Sequence, residues 1–209
     1  MSAGGTLFIV AAPSGAGKTV VIKRLLAEVP DLQFSVSWTT RAPRAGEVDG
    51  AAYHFVDETT FRAKVARGEF LEWASVHGRL YGTERAETFR ALEAGRDLLL
   101  DIDVQGAAQV RAAGLACASV FLLPPDRETL LARLSGRRTD SAAAIEERMR
   151  DAADEVRRFK EFDYLVINED LGQAVTEVVA IVRAERARRA RREARAQRIA
   201  ASFPAGEGR

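Results

Sequence analysis

A chain of 209 residues, 47% hydrophobic and 29% charged with a net charge of +1, can bury a core of its own and carry inserted lobes. Its one cysteine, Cys117, excludes an intrachain disulfide framework and a cysteine-rich zinc site. No apolar run approaches the roughly 18 residues of a membrane span, and the first residues lack a leader pattern, so a cytoplasmic setting is expected and export or membrane insertion is not.

The first element in chain order is a strand. Leu7 to Ala11 is short and apolar, as suits a parallel strand buried on both faces. It runs into Ala12-Pro13-Ser14-Gly15-Ala16-Gly17-Lys18-Thr19, after which helical period resumes from Val20 to Ala27. Small residues let successive N–H groups turn inward toward an anion, and the new helix adds its positive end at the same point. The chemistry is that of a polyphosphate cradle, with Lys18 reaching the β and γ phosphates and Thr19 offering a hydroxyl to Mg²⁺. The usual pattern begins with glycine where this chain has Ala12. Alanine is tolerated there at negative φ and costs about 1–2 kcal/mol at positive φ.

From about Gln33 to Gly95 the pattern changes to short alternating runs (Phe34 to Ser37, Tyr53 to Val56), turns at Gly46 and Gly50 and a short helix from Thr59 to Arg67. An inserted antiparallel lobe is expected. Within it Thr39-Thr40-Arg41-Ala42-Pro43-Arg44 sets two arginines beside hydroxyls, and the guanidinium fork suits phosphate oxygens. Beyond the lobe, Leu98 to Ile102, Ser119 to Leu123 and Tyr164 to Ile167 read as further strands. Helices are expected over Lys18 to Glu28, Gly106 to Ala113, Arg127 to Leu134, Ala142 to Phe159 and one long Leu171 to Ala200, with Asp126 and Ser141 as N-caps. The alternation implies an α/β fold, a parallel sheet with helices on both faces.

Asp101 and Asp103 lie two apart where a strand ends, the place where open α/β sheets bind ligands. They could orient Mg²⁺ through water or accept hydrogen bonds from a second substrate; a helix cap is the competing reading. Ser135 to Asp140, rich in glycine and arginine between two helices, reads as a mobile flap surrounded by Arg133, Arg137, Arg138 and Arg148. His54, His77 and Cys117 are expected in the lobe or core rather than in catalysis.

Residues 183 to 198 hold eight arginines and two glutamates, a sum of +6 against −5 for the rest of the chain. The run contains no aromatic residue for base stacking and no nucleic-acid motif accompanies it, so a solvated helical extension is preferred over a nucleic-acid partner.

The landmarks APSGAGKT, SWTTRAPRAGEVDGAAYHF, FLEWASVHGRLYG, LDIDVQG, RLSGRRTD and VINED, in that order, resemble those of bacterial guanylate kinases from about Gly5 to Arg186. The resemblance implies a P-loop nucleoside-monophosphate kinase fold of 1–209: a core (5–32, 96–134, 156–186), a GMP-binding lobe (33–95), a small helical lid (135–155) and a basic tail (187–209). It implies transfer of the γ-phosphoryl of ATP to GMP with Mg²⁺. Ser37, Arg41, Arg44, Tyr53 and Tyr81 would grip the GMP phosphate, and Glu72 and Thr83 would read the base. A carboxylate suits guanine, whose N1–H and N2–H₂ donate, whereas adenine presents a lone pair. Arg133, Arg137 and Arg148 would close over the transferring group, and Asn168 would lie near the donor base; Arg138 stands where the family has glycine. A silent peptide-binding module would not need Lys18, Thr19, Arg41 and Arg137, and a sugar-phosphate kinase would not need Glu72, Thr83 and Tyr81. A homo-oligomer is compatible with the sequence.

Overall fold

Strand β1 (Leu7–Ala11) is the axis of the molecule, with every residue buried. The structure, a computed structural model, describes residues 4–51, 53–76, 78–136 and 142–203. After β1 the chain forms α1 (Lys18–Glu28), β2 (Leu32–Phe34), β3 (Trp38–Thr39), β4 (His54–Phe55), α2 (Glu58–Ala66), β5 (Phe70–Val76), β6 (Arg79–Glu84) and α3 (Arg85–Glu93). It continues through β7 (Asp97–Asp101), α4 (Val104–Ala112), β8 (Cys117–Leu123), α5 (Arg127–Ser135), α6 (Ala142–Arg157), β9 (Tyr164–Ile167), α7 (Leu171–Ala187) and α8 (Arg189–Ala201).

Five strands form a parallel core sheet in the order β2-β7-β1-β8-β9. Because side chains alternate across a strand, β1 feeds two cores. Phe8 and Val10 pack with Val21, Leu25, Val175 and Val178 on the α1 and α7 side, while Leu7 and Ile9 pack with Ala107, Val110 and Phe121 on the α4 side. The expected helices on both faces of a parallel sheet are therefore present.

The second sheet, β4-β3-β6-β5, folds over its own small core of Phe61, Phe70 and Leu80. It is antiparallel-rich rather than wholly antiparallel, since β3 runs parallel to β4 while β6 is antiparallel to both β3 and β5. Three other expectations change. Phe34 belongs to the core sheet, paired with Leu99. The segment ending the lobe contains the unforeseen helix α3. The long last helix breaks at Arg188, whose φ of −54° and ψ of 139° leave the helical region. Asp126 caps α5 as expected, accepting from Thr129 N–H at 2.6 Å. Ser141, His77, Arg137 and Arg138 lie outside the described residues.

Candidate active site

The loop between β1 and α1 leaves the C-terminal edge of the core sheet. Asp31 is the one described non-glycine residue at positive φ, so Ala12 sits where a Cβ is tolerated. Gly17 is different: its φ is 95°, and a Cβ there would come 2.4 Å from Asn168 Nδ2. That amide is buried beneath the loop and donates to Ala16 O at 2.7 Å. Arg133 in turn donates to the Asn168 carbonyl at 2.9 Å, while its Nη1 is buried without a partner among the described residues. Asn168 and Arg133 thus support the loop from behind, and neither lines either of the two cavities beside it.

Lys18, the first residue of α1, points across the sheet edge to the end of β7. Its Nζ lies 2.7 Å from Asp101 Oδ1 and donates to Ile102 O at 3.0 Å. Burial disfavours its charge, but Asp101, with Asp103 and Glu155 behind it, outweighs burial and raises the lysine above its ordinary value. Lys18 is a fixed cation where two cavities meet.

The smaller cavity, about 240 Å³, is lined by Ser37, Tyr53, Glu72, Tyr81, Asp101 and Asp103 together with Lys18 and Thr19. Sequence-distant β3–β6 elements converge on it. A reciprocal pair of hydrogen bonds between Trp73 and Gln109 (3.1 and 2.7 Å) fastens β5 to α4. This brings Glu72 against Gly106, where any Cβ would lie 2.4 Å from Glu72 Oε2. Glu72 is 3% exposed, and burial pushes its pKa up to about 7 against the hydrogen bond from Thr83. Thr83 Oγ1 donates to Glu72 Oε1 at 2.6 Å and stands behind the carboxylate rather than on the cavity wall. Its proton is therefore committed to Glu72 in this state. Burial also raises Tyr53, with Asp101 and Tyr81 adding to the effect.

The two lobe arginines differ. Arg41 makes a two-pronged pair with Glu47, both contacts 2.9 Å, and its guanidinium stacks 5.2 Å from the Tyr53 ring centroid and 5.6 Å from that of Phe55. Glu47 also accepts from the Arg44 N–H at 2.7 Å, and these hydrogen bonds hold its carboxyl below the ordinary range. The Arg44 side chain is exposed and faces the larger cleft. Glu47 had no signal in the sequence beyond an acid in the turn after the arginine pair.

The larger cleft, about 720 Å³, lies between Ala12 to Thr19 and the face of α6. Ile145, Met149 and Ala152 anchor α6 on Leu130 and Leu134 of α5. The opposite positions Arg148, Asp151 and Glu155, spaced i, i+3 and i+7, face the loop, and Arg158 follows. Arg148 therefore lines the cleft. Glu155 was not singled out, although the helical period of α6 held the signal. Burial pushes it up to about 7, opposed by Lys18 and by a hydrogen bond from the Ser14 N–H. Asp103 borders both cavities and also caps α4, accepting from Gly106 N–H at 2.7 Å.

Thr19 lines both cavities from the first turn of α1. No cluster of three or more His, Cys, Asp or Glu able to hold a metal occurs among the described residues. That donor set fits a cation carried mainly by phosphate and water, with one hydroxyl from the protein. No helix among the described residues is long and apolar enough to cross a membrane.

Two cavities opening on one phosphate loop suit passage of a phosphoryl group between two bound nucleotides, the business of P-loop nucleoside monophosphate kinases. Known proteins narrow the class. The guanylate kinase family model matches residues 4–185. The chain is 52% identical over 180 residues to the guanylate kinase of Dechloromonas aromatica, covering 86% of this chain and 89% of that protein. It is 53% identical to that of Aromatoleum aromaticum, over 86% and 88% of the two chains. The crystal structure of guanylate kinase from Anaplasma phagocytophilum superposes with a TM-score of 0.74 at 32% identity, covering 91% of each chain. The chain belongs to the guanylate kinase family.

Proposed function

We propose that the cavity of about 240 Å³ takes GMP, that the cleft of about 720 Å³ takes ATP, and that the γ-phosphoryl crosses between them at Lys18, giving ADP and GDP. The observation that carries this reading is Glu72: a buried carboxylate on the wall of the cavity that Lys18 also lines. A buried acceptor of this kind favours a base presenting two donors, and guanine does so.

The GMP phosphate is already a nucleophile at neutral pH, so its oxygen attacks the γ-phosphorus in line and no general base is required. Catalysis rests on positioning and on cations facing spread negative charge. Lys18 and the loop N–H groups Ala12 to Thr19 hold the donor phosphates. Arg41 exchanges Glu47 for the acceptor phosphate, beside Ser37, Tyr53, Tyr81 and Arg44. Arg148 approaches from α6, and we assign Arg133 of α5 and Arg137 of the lid to the same group. Asp101 and Asp103 accept from the acceptor nucleotide once Lys18 turns to phosphate. Thr19 is the residue we assign to hold Mg²⁺, which would supply neutralisation of the phosphate charge. Asn168 fixes the loop near the donor. The parts assigned are a core that includes β2, a GMP lobe through residue 95, a lid at 135–155 and a basic tail from 187, in a cytoplasmic enzyme.

A coupled ADP-release assay with ATP·Mg²⁺ against GMP, AMP, CMP, UMP and a sugar phosphate tests the reading. Turnover with GMP alone is expected. Equal rates with AMP, or turnover of the sugar phosphate only, would overturn it.

A further inference from the structure

The arginines of the tail carry charge that the phosphoryl-transfer site does not use. None of the residues of α8 is buried. The helix meets the rest of the fold through α7 and through backbone acceptors, Arg191 donating to Gly4 O at 2.6 Å and Arg192 to Arg186 O at 3.2 Å. Arg189, Arg195 and Arg198 have no hydrogen-bond or ion-pair partner among the described residues. Glu193 is the only acid of the helix.

Helical spacing sorts this charge. Arg192 and Arg195 lie three apart on α8, Ile199 follows four residues on and Phe203 four further with its N–H still bonded to Ala200 O at 3.2 Å, while Arg188, before the helix, is held by Glu185 at 2.8 Å. The partly shielded residues, Arg191 and Ala194, fall to one flank of this stripe. Arg192, Arg195, Ile199 and Phe203 are all exposed, Phe203 at the end of the stripe to 69%.

We propose that α8 is a binding strip for single-stranded nucleic acid, its arginines taking successive phosphates and Phe203 offering a face for an unpaired base. Three or four residues of helix advance about 5 Å, so the stripe lays down charge at intervals comparable to those along a polynucleotide backbone. Arginine pairs with phosphate through a planar fork, and an aromatic face stacks any base without reading its identity. A lipid surface fits less well. Ile199 and Phe203 are the only large apolar side chains from Arg188 to Phe203, and the positions between the arginines are otherwise alanine, glutamine, serine and glutamate, too little apolar area for a helix to lie in the interface. The arginine run alone favoured a solvated extension because it held no aromatic. Phe203 lies beyond that run, and the fold sets it in line with the charges.

The test uses fluorescence anisotropy of a labelled oligouridylate of about 15 nucleotides with the full chain, across salt from about 50 to 200 mM. Binding is expected to weaken steeply with salt. The triple variant Arg192→Gln/Arg195→Gln/Arg198→Gln should flatten the slope of log K against log salt by about 2, since each phosphate contact on a single strand contributes about 0.7. Phe203→Ala should weaken binding about fivefold or more with the slope unchanged, because stacking carries no counterions. GMP phosphorylation should stay at the parent rate in both variants, which separates a lost strip from a damaged fold. The proposal is overturned if no RNA binds at the lowest salt, if the variants bind as the parent does, if a duplex of the same length binds as tightly as the single strand, or if vesicles rich in phosphatidylserine bind while RNA does not.

Discussion

The cleft proposed for the donor and the cavity proposed for the acceptor share Lys18 and Thr19 but are built on different principles. The donor side is made largely of backbone: consecutive residues Ala12 to Thr19 bend around a point, and Gly17 is required because Asn168 fills the space its side chain would take. The acceptor side is made of side chains brought from β3, β5, β6 and β7 and the loops beside them, with a buried acid at its back. A backbone cradle recognises phosphate, which every nucleotide has. A side-chain cavity recognises what distinguishes one nucleotide from another. Lys18→Ala gives the sharpest division between the two. Loss of a preorganised cation at the transferring group should lower kcat by about 10²–10³-fold. GMP should still bind in calorimetry, with its affinity changed far less than turnover, although Asp101 loses the partner that now neutralises it. Near-normal turnover would remove Lys18 from the chemistry.

The acceptor side breaks differently. In Glu72→Gln the base meets an amide where it met an acceptor of two hydrogen bonds, and discrimination between GMP and AMP should fall by about 10–100-fold at 1–3 kcal/mol per orphaned partner. The kcat/KM ratio for the two acceptors measures it. Thr83→Val leaves one oxygen of Glu72 without its donor and should push the carboxyl still higher, weakening GMP in the same direction by a smaller factor.

That contrast also explains what could be read in advance. The phosphate loop is one contiguous string, so strand, small residues, Lys18, Thr19 and helix follow each other in the chain with nothing long-range to infer. The core sheet was legible for the same reason, since buried parallel strands such as Leu7 to Ala11 are short unbroken apolar runs. Glu72 and Tyr81 came from the family resemblance, because nothing local distinguishes an acid in FLEWASV that will be buried from one that will be solvated. Thr83 was read as a base contact, yet its hydroxyl serves Glu72, a pairing fixed by register across β5 and β6. Glu47 and Glu155 went unread because each is defined by a partner elsewhere in the fold. The antiparallel expectation for the lobe failed at β3 and β4, two-residue strands joined by a long connection that lets them run parallel.

The acids that were hardest to read also give the protein its pH dependence. Glu72 and Glu155 are both pushed up to about 7, chiefly by burial, from an ordinary value of 4.5. The folded, nucleotide-free chain therefore holds protons that the unfolded chain has released. Their contribution to stability is present below about 4.5 and is lost as pH rises through about 7. Urea titrations across that range should show stability of the free protein falling with pH, and Glu155→Gln should flatten part of the fall. Guanine binding has the opposite preference, since its donors need the ionised carboxylate. KM for GMP should accordingly rise as pH drops below about 7, by up to about tenfold per unit, and Glu72→Gln should remove this limb. A GMP KM that is flat from mildly acidic to mildly alkaline pH in the parent would detach Glu72 from the base.

The smallest effect belongs to the region outside both cavities. Arg186 at the end of α7 pairs with Asp97 at 2.7 Å and donates to Pro30 O at 3.0 Å, so α7 is fastened to the core sheet at its last turn. Beyond the break at Arg188, the tail adds no buried side chain. Truncation after Arg188 keeps the fastening and removes no buried side chain, for which changes within about 0.5 kcal/mol are expected. Turnover of GMP should stay within about twofold and the melting temperature should barely move, while the hydrogen bond from Arg191 to Gly4 is lost. A collapse of turnover at unchanged melting temperature would mean that the tail acts on the cleft during the reaction, and the separation between the phosphoryl-transfer machinery and the basic strip would fail.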